Sequence, residues 1–201
     1  MNKSVKQFYN LAFDYHMSAV SLWGQILFEP YIYNPTIYLL RHTAELLLKG
    51  LIVRENLEIN SNADISQICI QDNNSKKNIN SLHSLFCLWN GFKQLNKDNR
   101  LLPLYNAEQE RFIDSQIKVF DEKDANSTTF RYPYNKQGES IVIEPLHIND
   151  NDIAPEIGKT PPKTVIFLGK LYVIRKGIRY INQAQNLFNV VELLFDFYDI
   201  K

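Results

Sequence analysis

The sequence predicts an all-α protein: a bundle of about five helices with a small β-hairpin inserted before the last one. Three observations carry this. Apolar side chains recur at helical spacing in several separated stretches. One of these, "TIYLLRHTAELLLKGLI" at 36–52, is apolar almost all the way round, as a helix inside a bundle must be. The β-prone run that stands out, "TTFRYPYNKQGESIVIEPL" at 128–146, is short and folds about a glycine. A length of 201 residues suits a single domain over 1–201, with the hairpin and its loops as an insertion at about 126–162.

The elements follow in order. Residues 3–28 place Tyr9, Phe13, Val20, Trp23 and Leu27 on one helical stripe. "EPYIYNP" ends that helix, because Pro30 and Pro35 cannot lie in a helix interior. Pro35 or Thr36 opens the second helix, which runs to about Asn56. The Asn-rich stretch 57–80 offers few apolar side chains and reads as a long loop. "NSLHSLFCLWNGFKQL" makes the third helix, with Asn80 or Ser81 as its N-cap. "LYNAEQERFIDSQIKVFDEKD" makes the fourth, turning Leu104, Phe112, Ile113, Ile117 and Phe120 inward. After the hairpin, 149–162 is acidic and then Pro-rich, a connection. From Lys163 to Tyr198 helical periodicity returns without proline, so the expectation is one long helix, bent at Gly169 or Gly177.

Composition excludes several classes. Net charge is zero, so no global basic field draws in nucleic acid, and any RNA contact needs a local patch. The hydrophobic fraction of 45% supports a core without disulfide or metal staples. Cys69 and Cys87 form no C-x-x-C pair, and neither a metal nor a cofactor is expected. No apolar run is long enough for a membrane span, and Asp14 and His16 interrupt what a signal peptide would keep apolar. The expectation is a cytoplasmic protein without membrane contact. Phosphate-binding glycine motifs are missing as well.

Four ionisable residues interrupt the second helix. With Arg41 set at zero, Glu45 lies at about 40°, Lys49 at about 80° and His42 at about 100° around the axis. They share roughly a quarter turn, and apolar side chains hold most of the rest. This stripe therefore faces a cleft, a polar network or a partner chain. One reading is an internal ion ladder of i,i+4 pairs, Arg41–Glu45 and Glu45–Lys49. The other is a site, in which His42 exchanges protons and Arg41 and Lys49 hold a phosphate.

His83, expected in the first turn of the third helix, is a second candidate base, kept neutral there by the helix dipole. Arg131, on the hairpin, could reach back over the cleft. His16 lies on an apolar stripe and reads as a core histidine. His147 sits among Glu144, Asp150 and Asp152 in a spacing that fits no metal-ligand set. Lys170, Arg175, Lys176 and Arg179 make the start of the last helix basic, either as a solvated face or as a contact to an RNA backbone.

Three motifs in this order resemble one family. "YLLRHTAELLLKGLI" is similar to the R-H-x-x-E-x-x-x-K helix of a group of bacterial HEPN-like proteins. "HSLFCLW" resembles the H-x-L-x-x-L-W helix that follows it there. "DANSTTFRYP", from Asp124 to Pro133, resembles a later segment ending in F-R-Y-P. The resemblance covers roughly 36–133. It implies an up-and-down helical bundle that often dimerises, found in toxin–antitoxin, CRISPR-linked and phage-defence systems. Many HEPN proteins are metal-independent ribonucleases; others serve as binding or assembly modules. Their usual nuclease signature sets an arginine several residues before a histidine on one helix. Here Arg41 and His42 are adjacent instead.

Two functions follow as expectations. The first is a non-catalytic interaction or assembly module of a bacterial defence or toxin–antitoxin complex, in which the stripe is a lock or a dimer seam. The second is an endoribonuclease that needs no metal. In it His42 and His83 share the acid–base roles, Glu45 orients them, and Arg41 with Lys49 or Arg131 holds the phosphate. Either reading implies a homodimer or a partner protein, and the second adds RNA.

Overall fold

In a computed structural model, residues 2–23, 33–72, 75–97, 107–124, 153–154, 164–167, 170–174 and 178–199 are described. Among them are five α-helices: α1 (Lys3–Trp23), α2 (Tyr33–Ile59), α3 (Leu85–Lys97), α4 (Ala107–Asp124) and α5 (Ile178–Asp199). Five short strands accompany them: β1 (Cys69–Asp72), β2 (Ser75–Asn78), β3 (Ile153–Ala154), β4 (Thr164–Phe167) and β5 (Lys170–Ile174). The helical bundle matches the expected class. No helix among the described residues is long and apolar enough to cross a membrane.

α2 is the centre. It packs against α1, α3 and α5, while α4 closes over α3 and α5. Ile37, Leu40, Leu47, Leu48, Leu51, Ile52 and Val53 of α2 are all fully buried. Each such side chain contributes roughly 1.5–3 kcal/mol through its removal from water. α2 begins two residues ahead of Pro35, which the first helical turn tolerates because its N–H groups have no partner inside the helix.

Gly50 is what lets α1 and α5 come close together on α2. A Cβ there would run into the Tyr198 hydroxyl of α5 and stand 2.8 Å from Cβ of Phe8 on α1. The same Tyr198 hydroxyl donates a 2.7 Å hydrogen bond to the Leu47 carbonyl. Its burial pushes the phenol's pKa upward, so it stays a neutral donor. Arg54 donates to the Phe197 carbonyl at 2.7 Å, tying the end of α5 to α2 again.

The structure corrects the reading in two places. The stretch 57–80 is not a plain loop. A 3-10 turn at Ile65–Gln67, the antiparallel hairpin β1–β2 and a second 3-10 turn at Ile79–Ser81 occupy it. Ile68, Ile70 and Ile79 are buried, and they anchor it. Ile70 lies over α3 at Gly91, where a Cβ would come within 2.6 Å of its side chain. The second correction concerns 163–198, expected as one helix. β4 and β5 occupy its first part, paired from Thr164↔Val173 to Phe167↔Lys170, with β3 on the other side of β5. The physical reason lies in "TVIF" and "KLYVI", β-branched and aromatic runs that favour a pleated strand. The expected hairpin at 128–146 lies outside the described residues, as does nearly all of the 126–162 insertion.

Candidate functional site: the buried polar network of α2

Arg41, Glu45 and Lys49 lie one turn apart on α2 and are withdrawn from solvent: 0%, 2% and 6% exposed. Both i,i+4 pairs of the ladder reading, Arg41–Glu45 and Glu45–Lys49, are present. Glu45 is the hub. Its Oε1 accepts from Lys49 Nζ at 2.8 Å, and its Oε2 accepts from Arg41 Nη1 at 3.3 Å. His83 places Nδ1 3.0 Å from the same Oε1. Arg41 turns its other terminal nitrogen, Nη2, to the backbone carbonyl of His83 at 2.6 Å. One arginine thus binds the carboxylate and the chain segment that carries the histidine.

Burial alone would make Glu45 hard to ionise. Lys49, then His83 and Arg41, outweigh that penalty and hold the carboxyl below its ordinary range. Charges this deep persist only in such company, because an unpaired one costs several kcal/mol.

His83 does not lie in a helix turn, contrary to expectation. The N-cap of α3 is Ser84, whose hydroxyl accepts from Cys87 N at 3.0 Å. The expected caps belong to the preceding 3-10 turn, Asn80 and Ser81 being its last two residues, and Asn78 caps it through a 2.8 Å bond to Asn80 N. The dipole argument for a neutral His83 therefore falls away, since the residue precedes the cap. What fixes His83 instead is its neighbours. Leu82 is buried. On the other side Asp121 of α4 accepts from the Ser84 hydroxyl at 2.6 Å and from Leu85 N at 2.8 Å. Sequence reasoning missed Asp121. No local sequence signal points to it, because it lies 37 positions from the serine that it holds.

His42 does not join the network. Its ring stands edge-on to Tyr15 of α1 at 4.6 Å and stacks on Tyr38 at 5.8 Å. The structure therefore brings together Arg41, Glu45, Lys49 and His83 and sends His42 to an aromatic cluster at the α1–α2 contact. Arg131 and His147 lie outside the described residues. Lys170 is on β5 and not on the last helix. Among the described residues no three His, Cys, Asp or Glu side chains are placed to hold a metal ion.

Two further features flank the site. Asp114 of α4 accepts from Trp89 Nε1 at 2.5 Å and from Lys93 Nζ at 2.6 Å, so the tryptophan of "HSLFCLW" has its polar edge satisfied. On α1, Leu11, Phe13, Met17 and Val20 are exposed, four of the six large apolar side chains exposed among the described residues. No family model, curated protein or solved structure matches this chain.

Proposed function

We propose that the chain is an HEPN-like interaction and assembly module of a bacterial defence or toxin–antitoxin system, and that its polar stripe is an internal lock. The observation that carries this reading is Arg41. Its guanidinium is fully buried and engaged with Glu45 and the His83 carbonyl. A cation so placed holds α2 to the 82–84 segment and is turned away from any phosphate outside. Lys49 is nearly as deep and likewise engaged. The exposed apolar residues of α1 support association as a homodimer or with a partner protein.

One observation favours the alternative, a metal-independent endoribonuclease. The His83 side chain is 49% exposed, while its Nδ1 is directed at a buried carboxylate. A carboxylate on one ring nitrogen orients the imidazole and leaves Nε2 as the acid–base atom, the arrangement used to deprotonate a hydroxyl nucleophile. The two cations beside this dyad, Arg41 and Lys49, are both buried and engaged with Glu45.

Induced expression separates the two. Wild-type protein, His42→Ala and His83→Ala are produced in a bacterial host, and growth and total RNA integrity are followed. The module reading expects intact RNA in all three. RNA breakdown that His83→Ala abolishes would overturn it in favour of the nuclease.

A further inference from the structure

α1 and α5 meet along an aromatic seam. Tyr9 stands edge-on to Phe195 at 5.6 Å, and Trp23 lies 5.7 Å from Phe188. Between these pairs sits His16, only 7% exposed, with its ring 5.3 Å from Phe188 and 5.2 Å from Phe195. Its Nε2 is 2.9 Å from Oε1 of Glu192. Its Nδ1 is buried and finds no hydrogen-bond partner among the described residues.

We infer that His16 is an acid-sensitive clasp between α1 and α5, closed when its imidazole is neutral and opened by protonation. In the neutral ring Nε2–H donates to Glu192, and Nδ1 is a bare lone pair facing apolar surroundings. Protonation puts an N–H at that position with no acceptor and places a cation among phenylalanines. A buried donor left unsatisfied carries its full desolvation cost. Glu192 could offset this only in part, because its side chain is half in water and water screens the pair. Among the described residues no other charged group reaches the ring: α2 sends none, and Lys6 and Asp14 of α1 itself are exposed.

The direction agrees. Burial outweighs Glu192 and holds the imidazole below its ordinary value of 6.5. A group whose folded-state pKa is depressed in this way resists the proton that the unfolded chain takes up. Its contribution is complete above the ordinary value and is lost as pH falls from there through the lower folded-state value. Acidification therefore loosens α1 from α5, uncovering Phe188 and Phe195 beside the already exposed Phe13 and Met17. The clasp is independent of the α2 network.

The test follows unfolding and amide exchange from about pH 7.5 to about pH 5.5, where an imidazole titrates. Wild type is compared with His16→Gln, which keeps a neutral donor for Glu192. The other histidines titrate in both, so the difference isolates His16. Wild type is expected to lose melting temperature relative to His16→Gln on acidification, with α1 amides losing protection. Parallel loss in the two proteins overturns the clasp. The C2 proton resonance of wild-type His16 decides the matter even if His16→Gln does not fold. A midpoint below 6.5, moved lower again in Glu192→Gln, is the expected result. A midpoint at or above 6.5, or one that Glu192→Gln leaves in place or raises, contradicts it.

Discussion

His83 Nδ1 lies 3.0 Å from Oε1 of Glu45, although 38 positions separate the two residues. This contact joins the central helix to the segment that leads into α3. Because Arg41 grips the His83 carbonyl at the same time, the segment is held through both side chain and backbone. Loss of any one partner should be felt by the others, which makes the network testable by stability and not only by activity.

Acid should release the lock. Glu45 is held below its ordinary value of 4.5. Its contribution is thus present above that value and is lost as pH falls from there through the folded-state value. Urea unfolding across this range should show wild type losing stability more steeply than Glu45→Gln, which has no carboxyl to protonate. Equal slopes would show that Glu45 is not the group being titrated.

Gly50→Ala should destabilise the bundle by about 1–3 kcal/mol through overpacking, since the added methyl meets the Tyr198 hydroxyl and Phe8. Tyr198→Phe alone should cost about 1 kcal/mol through loss of its bond to the Leu47 carbonyl. Together the two changes should cost less than their sum, because removing the hydroxyl makes room for the methyl. Strict additivity in chemical denaturation would mean that the helices do not approach as described.

Association through α1 should depend on its exposed apolar face. Wild-type protein should scatter light as a species heavier than the 23.5 kDa chain, alone or with its partner present. Met17→Glu should return it towards that mass with helical content unchanged. A charge at Met17 that leaves the assembled mass intact would remove α1 from the interface.

Much of this arrangement was legible in the residues. The apolar circumference of α2 with Arg41, Glu45 and Lys49 set into it called for a cleft, a polar network or a partner chain, because charges on a core helix must find partners. The inner face of α4 was equally plain, whereas on α1 the buried face runs through Val5, Ala12, His16 and Ala19, and Phe13 and Val20 of the expected stripe are exposed. Angular position alone misled for His42. It lies only about 100° from Arg41 on the wheel, but Tyr15 and Tyr38 hold it elsewhere. Asp121 could not be found, since its role rests on a tertiary contact between α4 and the cap of α3. The β1–β2 hairpin was hidden because three isoleucines sufficient to anchor it are scattered through polar sequence. β4 and β5 were hidden for a different reason: their apolar runs are too short for period alone to separate strand from helix.

The lock itself is tested most directly by Glu45→Ala in equilibrium unfolding at neutral pH. The substitution leaves Arg41 and Lys49 buried without their shared carboxylate and frees His83 from its anchor. A loss of about 3–5 kcal/mol is predicted, the cost of stranding buried charge. A Glu45→Ala protein that unfolds at the wild-type denaturant midpoint would contradict the account and show that the stripe is held for something other than stability.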